Sequence, residues 1–187
     1  MNVKSLGIAL AATGVMALSL APATFAATAG GTAGFSLTIP STVILQTLAG
    51  NANDTFPAMV VAVSPAGVAS GSTALSWTLS SNTVGGAIVT AYIPDLVIPA
   101  SGGANLKNDI KVTVADGGGA VPITPAGGYV AGKAVGAMPS TSGAAENMFS
   151  TAAPGIGQAL MTLSLSSPAA DGSGTVTGTI TMIATSQ

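Results

Sequence analysis

Apolar side chains recur at every second position in several separate stretches of this sequence, and that period most restricts its fold. Phe35, Leu37 and Ile39 alternate with Ser36 and Thr38. Leu75, Trp77 and Leu79 alternate with Ser76 and Thr78, and Ile110, Val112 and Val114 with Lys111 and Thr113. Met161, Leu163 and Leu165 repeat the pattern. The stretch GTVTGTITMIAT, residues 174–185, sets Val176, Ile180 and Met182 against Thr175, Thr177, Thr179 and Thr181. Successive side chains of an extended strand point to opposite faces, so each stretch predicts a strand with one face on a core.

Three further segments are more continuously apolar and also read as strands: TVILQTL (42–48), AMVVAV (58–63) and AIVTAYI (87–93). DLVIP (95–99) reads as a short edge segment. Turn-rich runs punctuate them: AGNANDTFP, SPAGVASGS, ASGGANLKN, DGGG and PAADGSG. Residues 120–155 predict short strands near 121–123 and 129–130, followed by either a helical turn around 144–149 or a long, partly ordered loop. About eight to ten short strands without a long helix predict an all-β fold, a Greek-key or jelly-roll-like β-sandwich. An outer-membrane barrel would need segments of about ten residues and aromatic girdles, and aromatics are only 4% of this chain. Trp77 reads as a core anchor, with Val176, Ile180 and Met182 as core positions of the last strand. Gly178 marks a bulge or a close approach.

The first 26 residues have the layout of a secretory signal. Lys4 supplies the positive start, Ser5 to Ala21 the apolar middle, and Thr24 and Ala26 the small residues of a cleavage site. Cleavage is expected after Ala26, with Ala23 as the alternative. It would leave 161 residues (187 less 26) and no transmembrane segment. Residues 27–34, ATAGGTAG, read as a flexible leader or a donor segment for a neighbouring subunit, and 35–187 as a single β-sandwich domain. The expected location is secreted or at the cell surface.

Composition removes whole classes of chemistry. Charged residues are 5% of the chain, against about 25% in ordinary globular domains. Nucleic-acid binding needs dense positive charge, and after the signal only Lys107, Lys111 and Lys133 remain. There is no histidine to act as a general base, and no cysteine for a disulfide, a thiolate site or a lipid anchor. No lysine follows a serine by three positions, so a Ser-x-x-Lys nucleophile is absent. Asp109 and Asp116 flank one strand, about 20 Å apart along an extended chain, and read with Asp54 as loop acids rather than a hydrolytic pair. NAND (51–54) and NLKND (105–109) offer oxygen ligands for calcium, yet neither matches an EF-hand loop. Asn and Asp as turn residues is the stronger reading of both. GGG (117–119) and GIG (155–157) lack the spacing of a phosphate loop. Asn53-Asp54-Thr55 matches a glycosylation sequon, a pattern frequent by chance. No catalytic residue, cofactor or metal ligand is assigned.

WTL at 77–79, together with the Thr-rich C-terminal stretch, resembles the WxL-type cell-surface β domains of certain bacteria. The first motif falls on Trp77 and Leu79, and Met182-Ile183-Ala184 stands where the second would be. The resemblance implies a secreted β domain held non-covalently to the cell wall. The ending also resembles exported pilin and coat-like β-sandwich subunits.

A neutral, exported β-protein with few reactive side chains is expected to work through its surfaces. The leading expectation is a non-enzymatic structural or adhesion subunit that self-associates, or binds other surface proteins, by β-strand addition. The alternative is a monomeric module for a cell-wall polymer, which calls for aromatics on an exposed face. A secreted hydrolase is the remote third.

Overall fold

The structure, a computed structural model, describes residues 39–98, 103–168 and 175–187. The expected signal (1–26), the leader (27–34) and most of the strand expected over 35–39 lie outside the described residues. Contacts divide the chain into Met1–Ile39 and Pro40–Gln187.

Among the described residues there are ten strands, all in the second unit: β1 (Val43–Thr47), β2 (Ala62–Val63), β3 (Ala69–Ser81), β4 (Ala87–Tyr92), β5 (Ile110–Gly119), β6 (Thr124–Pro125), β7 (Lys133–Ala134), β8 (Glu146–Thr151), β9 (Gly155–Ser167) and β10 (Thr181–Ser186). They form two antiparallel sheets, the all-β sandwich that period-two alternation predicts. One sheet has the order β1-β3-β9-β5-β7, with β2 also paired to β3, and the other β10-β4-β8-β6. Among the described residues, helix is confined to α1 (Gly103–Asp109), α2 (Gly127–Val130) and two short 3₁₀ turns. No described helix is long and apolar enough to cross a membrane.

The spine is the pairing of β3 with β9, which runs without a break from Ala69↔Ser167 to Ser81↔Gly155. Each strand is longer than its apolar alternation. The extra residues are Ser, Gly and Ala, which bury little. They stay in the sheet because each strand has a neighbour on both sides over much of its length, and a ladder satisfies backbone groups whatever the side chain. Gly71 shows a second requirement. A Cβ there would sit against the Val60 carbonyl and the Met59 side chain, so glycine lets the incoming 58–61 segment cross β3 closely.

Inward-facing residues of both sheets make one core. Trp77, Leu79, Val112, Val114, Ala159 and Met161 come from the larger sheet, and Ala87, Val89, Ala91, Met148 and Phe149 from the smaller. Met148 and Phe149 are both fully buried although they are neighbours. The β4–β8 register explains this: Val89 pairs Phe149 but Thr90 pairs Asn147, leaving Met148 as the extra residue of a bulge. Fully burying one such side chain stabilises by about 1.5–3 kcal/mol.

Several local expectations are corrected. DGGG is not a turn: β5 continues through it to Gly119, with a register shift between Asp116 and Gly118. AMVVAV is mostly not strand. Only Ala62 and Val63 pair, and Val60 is 84% exposed. Tyr129 and Val130 belong to α2 rather than a strand, and NLKND lies on α1 rather than in a loop. The helical turn expected around 144–149 is a 3₁₀ turn over Ser142–Ala144 followed by β8. DLVIP contributes a single bridge, Val97 to Thr177. The C-terminal strand begins at Thr181, so Thr175–Ile180 approaches it as irregular chain.

Candidate functional site

The C-terminal strand sits at a sheet edge. β10 pairs with β4 from Thr181↔Tyr92 to Ser186↔Ala87, and among the described residues no strand pairs its other side. Its sequence, TMIATS, has neither charge nor proline. Met182 and Ala184 pack against the core, while Ile183 points outward, 39% exposed. Beyond the strand, the Gln187 N–H donates to the Gly86 carbonyl at 3.1 Å.

Thr175–Ile180 is fastened to the loop after β4. Thr177 and Val97 exchange backbone hydrogen bonds of 3.2 and 2.8 Å. The Asp95 carboxylate accepts from the Thr179 N–H at 2.7 Å and from its hydroxyl at 2.8 Å. These two bonds to the charged form hold the Asp95 carboxyl below the usual carboxylate range.

This fastened segment forms one wall of a cavity of about 300 Å³. Leu75, Trp77, Met161 and Leu163 come from the larger sheet, Ile93 and Leu96 from the β4 side, and Val176, Ile180 and Met182 from the C-terminal segment. A second hollow of about 360 Å³ shares Asp54, Trp77, Ile180 and Met182 with it. Trp77 is only 6% exposed, and its indole Nε1 is buried with no hydrogen-bond partner.

Of the positions singled out in the sequence, Trp77, Val176, Ile180 and Met182 therefore meet around one cavity, whereas Leu79 is buried in the core away from it. The two strands carrying the WxL-like residues, β3 and β10, lie in different sheets. Sequence reading missed Asp95 and Phe56 as neighbours of this region. Asp95 is 84 positions from Thr179, and no local pattern joins them.

The described acids are dispersed. The Asp116 carboxylate accepts from Gly118 and Ile123 N–H groups at 3.1 and 3.3 Å and closes its own loop. Glu146 accepts from the Tyr129 hydroxyl at 2.8 Å and from Lys133 at 2.9 Å. Burial, together with the Glu146 carboxylate, pushes the Tyr129 hydroxyl well above its ordinary value. Among the described residues no three or more His, Cys, Asp or Glu side chains come together as metal ligands. The stretch 51–54 is an exposed loop. None of the described aromatics is exposed: Trp77, Tyr129 and Phe149 are buried, and Phe56 and Tyr92 are half-buried. A flat aromatic platform for sugar is thus missing from the described surface. What the site offers is a strand edge without a described strand partner beside an apolar hollow.

No family model matches the chain, and no curated protein matches it.

Proposed function

We propose that this chain is an exported, non-enzymatic structural or adhesion subunit of the bacterial cell surface that assembles by β-strand addition. The observation that carries the reading is the β10 edge. A row of N–H and C=O groups along an edge strand is a template for another chain. Lysine and proline, the residues that commonly block such edges, are both absent from Thr181–Ser186.

Three further features support it. The N-terminal layout is that of a secretory signal. A chain with 5% charged residues packs against copies of itself with little mutual repulsion. Residues 27–34, small and uncharged, followed by the alternating Phe35, Leu37 and Ile39, have the composition of a donor strand.

The test is assembly of the protein lacking residues 1–26, followed by size-exclusion chromatography and electron microscopy. Filaments or stable oligomers are expected, lost on deleting residues 27–34 or on Ile183→Lys. A monodisperse monomer across micromolar concentrations, unchanged by either edit, contradicts the reading.

A further inference from the structure

We infer that residues 35–39 of a second copy enter the flank between β1 and β10, antiparallel to β10, so that subunits join head to tail in an open chain. The inference rests on the strand-addition reading above. It adds the inserted segment, its direction and the polarity of the assembly.

The first ground is that the two flanks of the sandwich are unlike. On one, the edge strands β6 (Thr124–Pro125) and β7 (Lys133–Ala134) are two residues each and carry Pro125 and Lys133. Short edges, proline and lysine are the devices that stop further pairing. On the other flank, β1 (VILQT) and β10 (TMIATS) run for five and six residues with no lysine, proline or charge. Among the described residues, each subunit therefore has one flank that accepts a strand and one that refuses it.

The second ground is the space behind that edge. Leu45 of β1 and Met182 and Ala184 of β10 line one hollow of about 360 Å³, and Leu75, Leu163 and Ile180 line the adjoining one of about 300 Å³. Unfilled space forfeits the contacts that its lining atoms would otherwise make. Direct pairing of two β10 edges would satisfy backbone groups but leave the hollows empty, because Met182 and Ala184 already face their own core. A strand with large apolar side chains at alternate positions fills them. Phe35, Leu37 and Ile39 stand at that spacing, and Ile39 is 71% exposed in the single subunit.

The third ground is direction. Asn82, in the turn between β3 and β4, holds the chain that enters β1. Its side-chain amide donates to the Pro40 carbonyl at 2.8 Å, and its Oδ1 accepts from the Thr42 N–H at 2.7 Å. β10 finishes at the same turn, where the Gln187 N–H reaches the Gly86 carbonyl. The hollow walled by Thr175–Ile180 lies at the other end, where β10 begins. A segment that doubled back from its own Pro40 along β10 would run parallel to it. A segment from a second copy, with that copy's turn end set against this hollow end, runs antiparallel. Every described strand pairing in both sheets is antiparallel, the more stable ladder per residue. The segment leaves one end of a subunit and enters the next from the opposite end, so the contact is heterologous and propagates rather than closing on a pair.

The experiment is disulfide trapping in the protein lacking residues 1–26, which has no cysteine of its own. Two single-cysteine populations, one altered in the segment and one in β10, are unfolded and refolded together and oxidised, and mixed dimers are counted by mass spectrometry. Ser36 and Thr38 alternate with the apolar residues of the segment, as Thr181 and Thr185 alternate with Met182 and Ala184, which sets all four on the outer side of the joined strands. The inference expects Thr38→Cys to trap Thr181→Cys at least fivefold over Thr185→Cys, and Ser36→Cys to show the reverse preference. Leu37→Asp is expected to lower assembly at least tenfold with the urea midpoint of the monomer unchanged. Opposite preferences, no preference or no trapping overturns the inference. So does trapping of Ile183→Cys mainly with itself, because two β10 edges then pair directly. In that last case the subunits still assemble, and strand addition at β10 stands while this inference falls. A monomer at every concentration removes both.

Discussion

Thr179 gives both its backbone N–H and its hydroxyl to the carboxylate of Asp95, at 2.7 and 2.8 Å. That paired contact ties the chain entering the last strand to the loop leaving β4. It holds one wall of the cavity in place, and it delivers Met182 and Ala184 to the core in register with β4.

The first prediction concerns acid. Asp95 has its carboxyl lowered in the folded state, chiefly by the Thr179 N–H and then by the Thr179 hydroxyl. The stabilisation is therefore present above its ordinary value of 3.8 and is lost as pH falls through the lower folded value. Urea midpoints measured against pH should fall below about pH 4 more steeply in the parent than in Asp95→Asn. Parallel curves would remove Asp95 from this role.

At the alkaline end the sign reverses. Tyr129 is held neutral by burial and by its bond to Glu146, so its folded value is raised above the ordinary 10. Its contribution is complete below that pH and lost above it. In Tyr92→Phe, which leaves Tyr129 as the sole tyrosine, phenolate absorbance should appear only with alkaline unfolding. Tyr129→Phe should destabilise by about 1.5 kcal/mol, the low end for a hydrogen bond to a charged group, as read by urea unfolding.

Core substitutions should separate sharply from edge substitutions. Phe149→Ala is expected to cost about 3–5 kcal/mol and Met148→Ala about 2–5 kcal/mol, because both side chains are wholly enclosed. Ile183→Ala on the outer face of β10 should stay within about 0.5 kcal/mol. Thermal or urea unfolding of the three variants makes the comparison, and equal losses would mean that β10 is covered on its outer face.

Gly86 is a backbone requirement. Its φ is +78°, and a Cβ there would strike the Thr151 carbonyl, at the point where the Thr151 hydroxyl accepts from the Ala87 N–H. Gly86→Ala should destabilise by more than about 1 kcal/mol. A neutral result by urea unfolding would show that this turn relaxes freely.

Much of the sandwich was legible because alternation records a face. Leu75, Trp77, Leu79, Val112, Val114 and Met161 all point inward or pack against the core as their period requires. What failed was decided by partners, not by local pattern. AMVVAV is apolar, yet it lies at the edge of β3, where two residues pair and Val60 stays in solvent. DGGG has the chemistry of a turn, but β9 pairs alongside it and carries β5 through to Gly119. At the site, Trp77, Ile180 and Met182 could be read as apolar positions facing inward. That they share a cavity, and that Asp95 fastens its wall, depends on contacts between distant segments that no local spacing encodes.

The central claim is that the β10 edge receives another chain. Hydrogen exchange on its backbone amides, compared between dilute and concentrated protein lacking residues 1–26, tests this most directly. Protection of Thr181–Ser186 should rise with concentration while the amides of β3 and β9 stay unchanged. Exchange at β10 that is the same at every concentration would contradict it.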